Sequence, residues 1–432
     1  MGRLVNVAVA SPSVALALLA GCGEPEAVGT ATESFGSGTG SVDDGLETMV
    51  GWSGSSGWVT TGPDDPVGPC GDDPSCLPPS ETVPTEKPDG LPSPLPGVYD
   101  DQGPAPPDAG FRALIGFPTR QRKLLEDRVA LMYAPGSPLF RRYMTVDEWM
   151  ADHAPDPTVV ALIENWLRSR GFTIDFEAKN RLLVQFSGTV ADFNATFQTE
   201  LHICMRKNPL WEDPPFPVYC TLDRFTLPKF VAERTNGLAS ADLPTEKGEL
   251  TPEVGKIVAD PPGPEAYGPR VFYGAYHLHP LFEAGFDGGG SSVGVVAAGT
   301  YHAIDLQIFW KSFGVERALP KRVAVMEPVF ERVTETALDV QWATAMAPGA
   351  KAVVYEGPDA RNTSLLFTWN HAITANEVDV LTFSFAHRED SEPKPLRHQY
   401  DESALMGAAI GMTLVSASGD SECPTRRARA RT

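Results

Sequence analysis

Apolar and polar residues repeat with two different periods along this chain, and the change from one period to the other marks its elements. Val159, Val160, Ile163, Trp166 and Leu167 form one helical stripe. Asp156-Pro157 opens that helix with proline at its first position, and Gly171 ends it. Thr145 and Glu148 make a capping box ahead of a shorter helix. FTIDFEAKNRLLVQFSG alternates on both sides of Ala178-Lys179-Asn180, which predicts a hairpin. Thr189 opens a further helix with Val190, Phe193 and Phe197 on one face, and LHICM and PVYCTL read as two more strands. Residues 111–242 are therefore expected to be an α+β unit, helices on an antiparallel sheet.

From 269 to 423 the pattern changes. SSVGVVAAGTY reads as a buried strand and AIDLQIFWKSFG as a helix closed by Gly314. RVAVME, KAVVYEG, VDVLTFSFA and TLVSASGD are short apolar runs with helices between them, the pattern of an α/β domain on a parallel sheet. Ligands of such folds bind at the carboxyl ends of strands. Ser384 falls near one such end and Asp420 just past another. In ETALDVQWATAMAPGAKAVVY a helix ends at Pro348, with Glu335 and Asp339 one turn apart on one face. Like charges at that spacing mildly destabilise a helix, and a wet surface tolerates them. In a cleft the same two carboxyls become a coupled acid/base pair.

Charge and composition sharpen the division. The chain has 432 residues and a formal net charge of -21, which argues against a nucleic-acid partner. Residues 23–110 hold one basic residue, Lys87, among many acids and are dense in Gly, Ser, Thr and Pro. Such a stretch cannot bury enough apolar surface to order itself, and it is expected to be a disordered acidic tether. Residues 1–22, MGRLVNVAVASPSVALALLAGC, fit an export signal, and LAGC resembles a bacterial lipobox with Cys22 lipidated. The expected localisation is exported, as a bacterial cell-surface lipoprotein or an extracellular protein that meets membrane only through the lipid. Of the remaining cysteines, Cys70 and Cys76 can close a small loop, Cys204 and Cys220 can staple two strands, and Cys423 is left over. No histidine lies at metal-ligand spacing from these pairs, and His153 and His202 read as ordinary surface or strand histidines. Residues 243–268 are rich in Pro, Gly and charge and read as an exposed linker.

Two long stretches carry a resemblance. GSPLFRRYMTVDEWMADHAPDPTVVALIENWLRSRGF and SGTVADFNATFQTEL resemble the activation prodomain of sedolisins. ETALDVQWATAMAPGAKAVVY resembles that family's helix with Glu and Asp four apart before Ala-Pro-Gly-Ala, and LVSASGDSE resembles its strand-end Gly-Asp-Ser. The resemblance implies an activation prodomain followed by a subtilisin-like α/β domain with a parallel sheet. The activity implied is acid serine-type endopeptidase, a serine-carboxyl peptidase acting on peptide or protein substrates. Glu335 would be the general base, Asp339 the group orienting it and Asp420 the oxyanion donor. The prodomain would pack on the peptidase domain, and the maturation cut would fall in 243–268.

The chain also departs from the family pattern. The turn of GTSA type that carries the family's nucleophile does not occur in residues 1–432, nor does its calcium site. Phe385-Ala386 stands where the family has Trp-Gly. The expectation is an incomplete peptidase domain over 269–423, an aberrant Arg-rich tail over 424–432, and no activity from this form. Calcium is expected in the full-length family member and not at the family site here. The alternative is a non-catalytic prodomain protein that binds, inhibits or chaperones a related peptidase. A glycosidase would want two carboxyls about 5–10 Å apart around a sugar cleft, for which nothing else in the sequence speaks.

Overall fold

The computed structural model describes residues 82–84, 91–94, 98–206, 216–243, 268–326, 333–385 and 392–417. In chain order the first unit comprises β1 (Thr82–Pro84), β2 (Tyr99–Pro104), β3 (Gly110–Gly116), α1 (Arg122–Tyr133), α2 (Val146–Asp152), α3 (Pro157–Ser169), β4 (Thr173–Glu177), β5 (Leu183–Thr189), α4 (Val190–Phe197), β6 (Leu201–Arg206), β7 (Phe216–Thr221), β8 (Thr226–Pro228), α5 (Lys229–Ala232) and β9 (Gly237–Asp242). The second comprises α6 (Pro269–Ala275), α7 (His279–Glu283), β10 (Ser292–Ala298), α8 (Ala303–Phe313), β11 (Lys321–Ala324), α9 (Val333–Met346), β12 (Lys351–Gly357), α10 (Asn362–Ala375), β13 (Val380–Phe383), α11 (Lys394–Ala409) and β14 (Thr413–Ser416).

The helices of the first unit begin where their side chains can satisfy the free backbone donors. Thr145 Oγ1 accepts from Glu148 N at 3.2 Å, and Glu148 Oε2 accepts from Thr145 N at 2.7 Å. Asp156 Oδ1 accepts from Thr158 N at 2.8 Å, with Pro157 next to it. Thr189 Oγ1 accepts from Asp192 N at 3.2 Å. Each such cap contributes on the order of 1 kcal/mol. α3 and α4 then bury their apolar stripes on the antiparallel sheet β4-β5-β3-β9. The contact is mostly aromatic: Phe193 meets Phe197 at 4.5 Å and Phe111 at 5.0 Å, and Trp166 meets Phe197 edge-on at 6.1 Å.

Strand periodicity makes that sheet two-sided. In β3, Phe111, Ala113 and Ile115 face the helices of their own unit, while Leu114 belongs to the core shared with the second unit. Arg112 and Gly116 lie on the same side as Leu114. Arg112 Nη1 reaches Ser364 Oγ at 3.2 Å, and a Cβ on Gly116 would collide with the Gln399 side-chain amide. Glycine is what lets α11 lie flat on β3.

The second unit is a parallel sheet in the order β11-β12-β10-β13-β14. Val295 and Ala297 of β10 pack with Leu306 and Trp310 of α8 and Val340 of α9. Val296 and Ala298 point to the opposite face, into the core with Leu366 of α10 and Met406 of α11. The helix pair α10 and α11 is thus covered by a sheet on each side. Eleven of the fourteen residues of α10 are buried, so it is closed in nearly all round.

Polar contacts fix how the units dock. Glu402 of α11, 3% exposed, accepts from Thr119 N at 3.2 Å and pairs with Arg122 Nη1 at 2.7 Å. Asp242, the last residue of β9, accepts from Thr363 N in the first turn of α10 at 2.9 Å. Burial pushes the Asp242 carboxyl up, the Thr363 donors oppose this, and nearby Asp359 adds to the rise. In the orientation that satisfies its neighbours, the Gln399 amide accepts from Phe117 N and donates to Leu182 O.

The tether expected over 23–110 needs correction from Thr82 onward, because β1, β2 and the first residue of β3 lie inside it and Leu91 joins the core of the first unit. β2, YDDQGP, is polar, acidic and half exposed. Backbone pairing with β6 holds it, together with Asp101 Oδ1 on His202 Nδ1 at 2.8 Å. Neither contact is visible in composition. The single antiparallel sheet expected for this unit is also divided: β2-β6-β7 and β1-β8 stand apart from the four-stranded sheet. Cys204 in β6 and Cys220 in β7 are joined by a disulfide and are fully buried. Cys22, Cys70, Cys76, Cys423 and the tail 424–432 lie outside the described residues. Among the described residues no helix is long and apolar enough to cross a membrane.

Candidate active site

α9 places the acidic pair. Thr336, Ala337, Val340, Thr344 and Ala345 turn inward and seat the helix on the sheet and on α8. Trp342 is clamped between Phe272 of α6, at 4.8 Å, and Phe309 of α8, at 6.1 Å. Tyr273 Oη donates to Ala345 O at 2.7 Å and ties α6 to the end of α9. Glu335 lies in the first turn, where the positive end of the helix dipole favours an acidic residue. Asp339 follows one turn later and is half-buried with it.

Across from Asp339 stands Ser384, the first residue after β13. Ser384 Oγ donates to Asp339 Oδ1 at 2.7 Å. Burial pushes the Asp339 carboxyl up to about 6; the Ser384 hydroxyl opposes the rise and the Glu335 carboxyl adds to it. Asp339 therefore sits at a desolvated position and not on a wet helix face. Its place in the fold is also specific. Strand order reverses around β10, with β11 and β12 on one side and β13 and β14 on the other. The carboxyl ends next to such a reversal are where doubly wound sheets bind ligands.

Asp420 lies outside the described residues. Ala417, three residues before it, donates from its backbone N to Phe383 O at 3.0 Å, at the same end of the sheet. The structure thus brings Glu335, Asp339 and Ser384 together and describes no position for Asp420. Ser384 is legible in the sequence as a strand-end serine, but its pairing with Asp339 is not, since the two are 45 positions apart.

A second buried carboxyl at this end of the sheet was missed altogether. Glu356 of β12, 2% exposed, accepts from Thr300 Oγ1 at 2.8 Å and from Arg322 Nε at 2.7 Å. The signal was a glutamate closing an apolar strand, KAVVYEG. Its partners satisfy it, and it reads as a structural ion pair.

His153 and His202 are structural as well. His153 Nδ1 lies 3.1 Å from Arg120 O, and His202 belongs to the β2–β6 contact. Among the described residues, the one group of three potential metal ligands within reach of each other is Asp101, Cys204 and Cys220. Two of these are spent in the disulfide.

Residues 99–209 match the family described as Pro-kumamolisin, activation domain. Kumamolisin of Bacillus sp. (strain MN-32) is 31% identical over 170 residues, covering 37% of this chain and 30% of that protein. Tripeptidyl-peptidase 1 of Bos taurus is 23% identical over 344 residues, covering 76% of this chain and 59% of that protein. The chain thus spans less than two thirds of the length of either curated relative. Among solved structures, a Pseudomonas sedolisin (serine-carboxyl proteinase) complexed with two molecules of pseudo-iodotyrostatin matches at 23% identity over 30% of this chain and 39% of that one. Its TM-score of 0.27 is too low to bear on the fold.

Proposed function

We propose that this chain, whose similarities place it with the sedolisin-family precursors, is the precursor form of an acid serine-carboxyl endopeptidase. The observation that carries the reading is the Glu335–Asp339 pair at the carboxyl end of the parallel sheet, with Asp339 desolvated, in a chain whose first unit matches an activation domain. Glu335 takes the proton of the attacking serine. Asp339 keeps its own proton up to about pH 6, so in mild acid it can donate a hydrogen bond to Glu335 and orient it. Asp420, protonated in acid, donates to the oxyanion. The substrate is the peptide bond of a peptide or protein.

The serine itself is the open element of this reading. No Gly-Thr-Ser-Ala turn occurs in residues 1–432, and we propose that these residues alone do not hydrolyse peptides. Purified 1–432 is expected to leave a denatured protein substrate intact between pH 3 and 6. Acid proteolysis that disappears in Glu335→Gln would overturn the inactivity and at the same time support the assignment of Glu335. The absent turn favours one further reading: the first unit binds, inhibits or chaperones a related peptidase in trans. Slow, tight inhibition of a sedolisin-type enzyme by added 1–432 would favour it. We also propose export with Cys22 lipidated and a maturation cut in 243–268. Mass spectrometry of the protein from a bacterial host checks the first as a diacylglyceryl adduct, and acid incubation followed by N-terminal sequencing checks the second.

A further inference from the structure

We infer that Ser384 is a positioning residue for Asp339: its hydroxyl holds Oδ1 and so reserves Oδ2 for Glu335. The inference rests on the reading in which Asp339 orients Glu335. The carbonyl oxygen of a protonated carboxyl is its better acceptor, so a donor on one oxygen favours the proton on the other. With Oδ1 engaged by Ser384 at 2.7 Å, Oδ2 is the favoured seat for the proton of Asp339.

The scaffold behind Ser384 is stiff enough for the task. β13 pairs with β10 through Val296↔Phe383 and with β14 through Phe383↔Ser416, and Ala417 N bonds Phe383 O. Phe383 and Phe385, on either side of Ser384, meet at 5.7 Å and pack into the shared core. Backbone pairing and two flanking aromatic anchors therefore fix where the hydroxyl can point. α9 is held just as firmly through Trp342 and Tyr273. Two rigid elements, one from each side of the strand-order reversal, are joined by this hydrogen bond. The groups acting on the Asp339 carboxyl are Glu335 from its own helix and Ser384 from the sheet.

The test needs no turnover, which separates it from the proposed function. The full 1–432 chain is labelled with carbon-13 at its aspartate carboxyls, and the Asp339 signal is assigned by its loss in Asp339→Asn. Removing a donor that favours the ionised form is expected to raise the Asp339 midpoint by about one pH unit in Ser384→Ala. Ser384→Thr, which keeps the hydroxyl, is expected to restore it. An unmoved midpoint in Ser384→Ala overturns the inference. So does a midpoint displaced equally in Ser384→Thr, which would mean that the site responds to packing and not to the hydroxyl. A double-mutant cycle covers the case of a fragile variant: the loss of stability on Ser384→Ala is expected to shrink in an Asp339→Ala background, and an equal loss in both backgrounds overturns the inference. Covalent capture of Ser384 by a fluorophosphonate also overturns it, since Ser384 would then be a nucleophile. If Asp339 moves as expected while peptide cleavage is later shown to be independent of Glu335, the positioning role stands and the peptidase reading falls.

Discussion

Asp339 links the acid chemistry of the site to the stability of the whole chain. Its ordinary value is 3.8, and burial, opposed by Ser384 and reinforced by Glu335, raises it to about 6. Between those two values the unfolded chain has released this proton while the folded chain still holds it. Folding stability therefore falls as pH rises through this window and is level above it. The full effect is on the order of 2–3 kcal/mol. Asp339→Asn cannot ionise, so its urea-unfolding free energy is expected to change less between pH 4 and pH 6.5 than that of the parent. An identical slope in both proteins would place Asp339 in contact with water. That Glu335 and Asp339 share a face was legible from their spacing alone. The hydrogen bond that engages Asp339 was not, because its donor Ser384 lies 45 positions away and only the parallel sheet brings it across.

Single elements make the docking surface, and two substitutions probe it. Gly116→Ala places a methyl group against the Gln399 side chain, which is fully buried and has little room to withdraw. The expected loss is about 1–3 kcal/mol. Gln399→Ala in the same chain should recover part of it, measured as a non-additive double-mutant cycle in thermal unfolding. Asp242 serves α10 as a capping residue contributed by the other unit. Asp242→Ala is expected to cost about 1 kcal/mol and to speed hydrogen exchange at Thr363. Unchanged exchange at that amide would remove the cap from the account. The elements themselves were largely readable: the Thr145 box, Pro157, the hairpin around Ala178-Lys179-Asn180 and the runs of the parallel sheet all stand where their patterns put them. β2 escaped because its sequence is polar and its partners lie a hundred residues ahead. The outward side of β3 escaped because Arg112 and Gly116 look like solvent-facing positions until α10 and α11 cover them.

At the scale of the molecule, α10 and α11 serve two sheets at once, so the units share a core and are not joined by the linker alone. A specific protease site introduced between 244 and 267 is expected to yield two pieces that elute together at neutral pH. Separate elution would show that the shared core is too weak to hold them. The two-sided strand β3 has one more consequence, which concerns inheritance and not energy. Substitutions in it can be absorbed one position at a time, but losing or gaining a single codon would turn every later side chain to the opposite face. Phe111 or its successor would then meet the charged groups around Asp359, and a guanidinium would face the aromatic cluster. Insertions and deletions in this lineage should therefore collect between Pro104 and Gly110 and leave the length of β3 untouched.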